Sequence, residues 1–300
     1  MYELISTLAE KLGKPYARKL AYASVYFSGS LNAGGVLPQN DRKLMNLGFP
    51  SPLGLAAGFD KRGAVFEALH GLGFGFGEIG SVTPLAEPGR SPGLAAVALH
   101  LSRIKLPRPI PLGVSISSNR ASPPALIPMD YINCMKGVWD GADYITINLG
   151  VRGSTDLYAP EYRSLLHKVL SIVKAEQDQL AATSGHRLPL LVKIDQARGN
   201  AEVLAACVRD YGFDGLILCE SAEAREHPAL YLLERLANAS GQALPIISVG
   251  GIRSPQDAED RLNAGASLLQ LYTGLVKHGP LLVGRINRYL AQSNRESLIA

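Results

Sequence analysis

The chain has 300 residues, 47% of them hydrophobic, and a formal net charge of +4. That is enough apolar material for one barrel-sized domain, and a charge so small and so scattered excludes a nucleic-acid-binding surface. Cys134, Cys207 and Cys219 are too few and too far apart for a disulfide framework or a zinc knuckle, so a reducing cytoplasm and no bound metal are expected.

Residues 1–30 stand apart as an N-terminal amphipathic helical extension of a barrel spanning 31–300. Tyr2, Leu4, Ile5, Leu8 and Leu12 recur at helical spacing, and Gly13-Lys14-Pro15 interrupts the pattern. Tyr16, Leu20, Tyr22, Val25, Tyr26 and Phe27 then form a second stripe, with Lys11, Lys14, Arg18 and Lys19 near the junction. A hairpin of this kind either lies on a membrane surface or packs on the rim or flank of its own barrel. No apolar run reaches transmembrane length and no signal-peptide pattern is present, so the chain is expected to be soluble or surface-attached.

From residue 52 onward short apolar runs alternate with amphipathic helices. Strands are expected at 52–57, 76–81, 111–116, 144–149, 189–194, 215–219, 244–249 and 266–271. Helices are expected at 64–72, 129–139, 160–182, 201–211, 229–239, 254–263 and 279–290. Residues 85–110 are proline-rich and give no clear element. Eight buried strands in this rhythm predict an α/β fold, a (β/α)₈ TIM barrel.

Active sites of such barrels lie at the C-terminal ends of the strands. Those positions hold Ala57, Gly58 and Lys61, then Ser81, Ser115, Asn148, Lys193, Cys219-Glu220, Gly250-Gly251 and Tyr272-Thr273. The two last strand–loop–helix units have small residues where backbone N–H groups could grip a phosphate; the plain alternative is that Gly250 and Gly251 only make a tight turn. A buried lysine costs too much to be filler, so Lys193 reads as a cation beside a planar heterocycle or as a Schiff-base lysine. Asn148 is weaker, since an asparagine can simply satisfy loop backbone.

LGLAAGFDK, EIGSVTP, ADYITIN, PLLVKI, IISVGGI and GASLLQLYTG stand in one order along the chain. Together they resemble the dihydroorotate dehydrogenases of the membrane-associated, quinone-using class, from about residue 2 to 290. The resemblance implies FMN in the barrel mouth. Ala57, Gly58 and Ser81 would line the flavin, and Asn148 and Lys193 would touch its ring. Gly250, Gly251, Tyr272 and Thr273 would hold its phosphate, and Lys61 would meet both flavin and substrate. A quinone and a membrane surface, the inner face of the cytoplasmic membrane, are implied as partners of residues 1–30.

Departures from the family pattern are concentrated on the substrate side. Val151 stands where the family has its catalytic serine, Gly153 where an asparagine grips the substrate, and Ser115 where an asparagine faces the flavin. An asparagine-rich segment after strand 2 is missing, and Glu220 would stand near an anionic substrate and repel it. Cys219, Glu220, Ser154 and Asp156 are the candidate replacement acid–base groups, against core packing, helix capping and loop solvation as the bland readings. Three functions follow: an FMN oxidoreductase on a substrate other than dihydroorotate, a catalytically inactive binding partner, or a quinone-linked dihydroorotate dehydrogenase.

Overall fold

A computed structural model describes residues 13–31, 40–150, 155–195, 201–220, 229–240 and 244–299. Eight parallel strands close a barrel in the order β10, β3, β4, β5, β6, β7, β8, β9. They are β3 Leu53–Leu55, β4 Phe76–Val82, β5 Leu112–Ile116, β6 Tyr144–Asn148, β7 Leu190–Asp195, β8 Gly215–Cys219, β9 Ile246–Val249 and β10 Leu268–Leu271. The surrounding helices are α2 Phe66–Leu72, α3 Leu94–Leu101, α4 Ile127–Val138, α5 Arg163–Ser184, α6 Ala201–Asp210, α7 Ala229–Ser240, α8 Pro255–Asn263, α9 Thr273–His278 and α10 Leu281–Ile299.

Side chains fill the barrel by pairing small with large. Gly54 is in register with Phe76 and Gly113 with Tyr144, and a Cβ on either glycine would run into the neighbouring ring. The floor is closed by a hairpin that the sequence reading missed, β1 Arg42–Leu44 and β2 Leu47–Phe49. Its two-residue turn places Met45 and Asn46 at φ 53 and 60, the left-handed geometry that matches strand twist. Phe49 is fully buried and packs edge-on against Phe76, with ring centroids 5.4 Å apart.

Two expectations need correction. Residues 85–110 contain α3, whose run Leu94-Ala-Ala-Val-Ala-Leu-His-Leu is apolar almost all round and so shows no amphipathic period. The helix expected at 279–290 is α10, which runs on to Ile299, but it is preceded by a short helix that was not expected, α9, which ends at Gly279. By contrast, α8 begins as read: Ser254 accepts from Asp257 N–H, and the Asp257 carboxylate returns to the Ser254 N–H in a capping box.

The helix α1, Lys14–Ser30, lies on the barrel flank against α2 and α9. Ala17, Ala21 and Val25 are its buried face. Arg18 reaches from it to the loop after β3, so the helix sits toward the mouth rather than the N-terminal rim. The first predicted helix, over residues 2–12, lies outside the described residues.

Asp60 holds the same loop from the other side. Its carboxylate accepts N–H bonds from Arg62, Gly63, Ala64 and Val65, at 3.3, 2.9, 3.1 and 2.8 Å. All four lie in the loop that leads into α2, whose N-cap is Val65, so the carboxylate satisfies loop backbone. Asp60→Ala is expected to destabilise the fold by roughly 2 kcal/mol or more, because it leaves buried N–H groups unpaired. Denaturant unfolding of the variant measures this; a midpoint equal to wild type would refute it.

Candidate functional site

The strand ends converge on one polar mouth. Asn148, the last residue of β6, donates from Nδ2 to Ser81 Oγ at 2.7 Å, and the Ser81 and Ser115 hydroxyls are 3.2 Å apart. The Asn148 amide oxygen takes the Gly150 N–H at 3.2 Å, and its carbonyl takes the Tyr131 hydroxyl at 2.9 Å. Asn148 therefore does both things considered for it: it satisfies loop backbone and orients a hydroxyl pair across three strands. Beside it in register stands Lys193, half-buried on β7.

Gly58 offers the mouth bare backbone. Its φ is 96°, its N–H donates to Gly80 O at 2.8 Å, and a Cβ built on it would meet nothing within 4 Å. That combination is an open face against which a flat ring can lie. Neighbouring Ala57 is likewise half-buried. Phe59 carries a short chain of rings, stacked on Tyr22 of α1 at 6.0 Å and edge-on to Tyr272 at 6.1 Å. Thr273 is the first residue of α9.

Below the mouth lies a sealed polar layer that the sequence reading missed. Glu78 is fully buried, and its Oε2 accepts from the Tyr144 and Thr146 hydroxyls and from Gln270 Nε2, at 3.3, 3.0 and 3.1 Å. Burial pushes its carboxyl above the ordinary range, and the positive charge of Lys193 opposes that shift. A glutamate inside the apolar strand Phe76-Gly-Glu-Ile-Gly was the available signal, since an acid in a buried strand demands partners.

Cations ring the mouth. Arg18 donates through Nη2 to Gly58 O at 2.7 Å and Phe59 O at 3.2 Å. Lys61 donates to Gly89 O at 2.5 Å. Burial lowers the Lys61 pKa, and the Arg18 and Arg90 charges lower it further. Arg90 pairs with Glu87 and donates to Ser117 Oγ and Ser118 O at 3.1 and 3.0 Å. Arg18 and Arg90 lie far from the strand ends in sequence, and no motif marked them.

The remaining candidates separate. Cys219 ends β8 and packs against the apolar interior that includes Ile247 and Val249. Asp156 accepts the Tyr158 N–H at 3.2 Å within its own turn. Val151, Gly153 and Ser154 lie outside the described residues. Glu220 corrects an expectation: its side chain turns to Arg261 of α8, so its charge is paired there instead of facing the mouth. Arg261 is held in turn by Ser248 Oγ at 2.8 Å.

At the end of β9, Gly250 and Gly251 have φ 106° and 65°, which only glycine adopts freely. The space facing them is taken. A Cβ on Gly251 would fall onto the Glu220 carboxylate and lie 2.5 Å from Arg261 Nη2. The mouth at Gly58 is thus open and polar, whereas the turn at Gly250 and Gly251 faces a carboxylate.

The fold is a (β/α)₈ barrel with a polar mouth at its strand ends, and comparison with known proteins narrows this. The family model for dihydroorotate dehydrogenase matches residues 40–98 and 221–293. The chain is 35% identical over 307 residues to the dihydroorotate dehydrogenase (quinone) of Methylobacillus flagellatus, covering 88% of this chain and 90% of that one. It is 33% identical over 328 residues to the protein of the same name from a Marinomonas species, covering 94% and 95%. The DHODH of Eimeria tenella solved with ferulenol shares the fold, with a TM-score of 0.77 and 24% identity over 93% of this chain and 92% of that one. This chain belongs to the dihydroorotate dehydrogenase family. The stretch between the two matched segments holds Ser115, Asn148, Val151, Gly153 and Cys219.

Proposed function

We propose that this chain is a flavin-dependent oxidoreductase that holds the ring of FMN in the barrel mouth, oxidises a small anionic substrate there and passes the electrons to a quinone. The observation that carries the reading is the convergence of the Asn148–Ser81–Ser115 hydroxyl set, Lys193 and the bare Gly58 face on one mouth. Bound FMN would supply hydride acceptance and onward electron transfer. The chain's own part is to seat a flat ring on Gly58, to donate from Asn148 and the serine pair, and to set the Lys193 charge where negative charge develops. Arg18, Lys61 and Arg90 give the mouth a positive rim that suits a carboxylate-bearing substrate.

Two identities for that substrate compete. The names of the relatives favour dihydroorotate. The residues favour a different acid, because Val151 cannot take a proton and Gly153 cannot hold a polar ring, and we adopt the second reading. Purified protein should carry a visible flavin absorption band that bleaches on reduction. A colourless protein whose added FMN shows no fluorescence quenching would overturn the reading and leave an inactive scaffold.

We propose further that α1 brings the chain to a membrane surface. Tyr16, Phe27 and Leu31, spaced along one side of the helix, are 57%, 66% and 81% exposed, and among the described residues no helix is long and apolar enough to cross a bilayer. Their combined replacement by serine is expected to reduce co-sedimentation with anionic vesicles by about tenfold or more, since each buried apolar side chain contributes roughly 1.5–3 kcal/mol. Thermal stability should hold, because these side chains face outward. Equal co-sedimentation of variant and wild type would rule out attachment through α1.

A further inference from the structure

Glu220 and Arg261 form an ion pair at the glycine loop after β9. Arg261 is a buried cation, its side chain 8% exposed, and Ser248 fixes its other guanidinium nitrogen at 2.8 Å. Glu220 is the more exposed partner, its side chain 30% exposed. Its main chain is anchored by the N–H bond to Val249 O at 2.8 Å, so its carboxylate turns back toward Gly251. Gly250 and Gly251 have φ 106° and 65°, which leaves the turn without side chains. It already faces an anion from its own chain.

We propose that Glu220 occupies the flavin-phosphate seat and acts as a gate that lowers this chain's preference for phosphorylated flavin, a proposal that rests on the flavin reading above. Two like charges cannot share the seat. A phosphate arriving at Gly250 and Gly251 must push the Glu220 carboxylate out toward solvent and take over Arg261, whose position Ser248 preserves. Riboflavin, with no phosphate, leaves the pair intact. The free energy that other phosphate-binding loops add to flavin affinity is here largely offset by the broken ion pair.

The test compares FMN and riboflavin binding by quenching of flavin fluorescence on the purified full chain and on Glu220→Gln and Glu220→Ala. Wild type should bind the two flavins with dissociation constants within about threefold of each other. Removing the carboxylate should tighten FMN by about tenfold or more, a modest fraction of the Coulomb interaction at such separations, and change riboflavin by less than about twofold. Adding Arg261→Gln to Glu220→Gln should bring FMN back to the riboflavin level. The alanine variant removes the charge without the amide that could still bond Arg261, and thermal melting of each variant checks that the barrel is intact. Quenching by both flavins with an unchanged FMN-to-riboflavin ratio in the variants would overturn the gate alone. Equal tightening of both flavins would replace it with simple relief of crowding. Quenching by neither flavin in any variant would overturn the gate and the flavin reading together.

Discussion

Wild-type protein should oxidise dihydroorotate at least about a hundredfold more slowly than a relative that keeps the family's catalytic serine, when both are assayed with a quinone or dye acceptor. Oxidation requires a base for one proton while hydride leaves the adjacent carbon, and a positioned base is worth roughly 10²–10⁴ in rate. Val151, three residues after Asn148, supplies none. Each lost asparagine leaves a polar substrate group unpaired, at about 1–3 kcal/mol apiece. Val151→Ser alone should therefore not restore turnover, because Gly153 and the missing asparagine-rich segment would still leave the substrate unheld. Ready turnover by the wild type would show that another group acts as base and that the relatives' activity is retained.

The second large effect is expected at Lys193. Its charge is the one that opposes the burial of Glu78 beneath the mouth, and it stands in register beside Asn148. Lys193→Ala should lose flavin on gel filtration or, where flavin is retained, slow its reduction by roughly 10²–10³, the usual cost of removing one preorganised group at developing negative charge. The same change removes the cation that lowers the Glu78 carboxyl, so Glu78 should take up or keep a proton to higher pH. Difference infrared spectroscopy of the carboxyl stretch reads this independently of activity. Full flavin retention with wild-type reduction and an unshifted Glu78 would refute the role.

How much of this was legible in the sequence depends on what each residue reports locally. The barrel was readable because parallel strands buried on both faces are continuous apolar runs, and α8 was readable because Ser254 and Asp257 spell a capping box. The hairpin that floors the barrel was not, because three-residue strands carry too short a pattern and only Asn46 marks the turn. Helix α3 was hidden by being apolar on every side. Within the mouth, Asn148 and Lys193 could be placed by counting to strand ends. The partners that define their environment, Glu78, Ser115 and Gln270, become neighbours only when the barrel closes. Glu220 was assigned the wrong direction for the same reason. A residue just past a strand can turn inward or outward, and the decision was made by Arg261, forty-one residues further on.

The clasp between α1 and the mouth has a thermodynamic corollary. Arg18 ties the helix to the Gly58 and Phe59 carbonyls, and Tyr22, Phe59 and Tyr272 form a continuous ring path from that helix to the start of α9. Whatever grips the outer side of α1 and whatever fills the mouth thus act on one shared set of atoms. Linkage makes such an influence reciprocal: if filling the mouth changes how strongly α1 holds a surface, that surface changes the affinity of the mouth by the same factor. If α1 moors the chain as proposed, the same helix is a lever on the pocket.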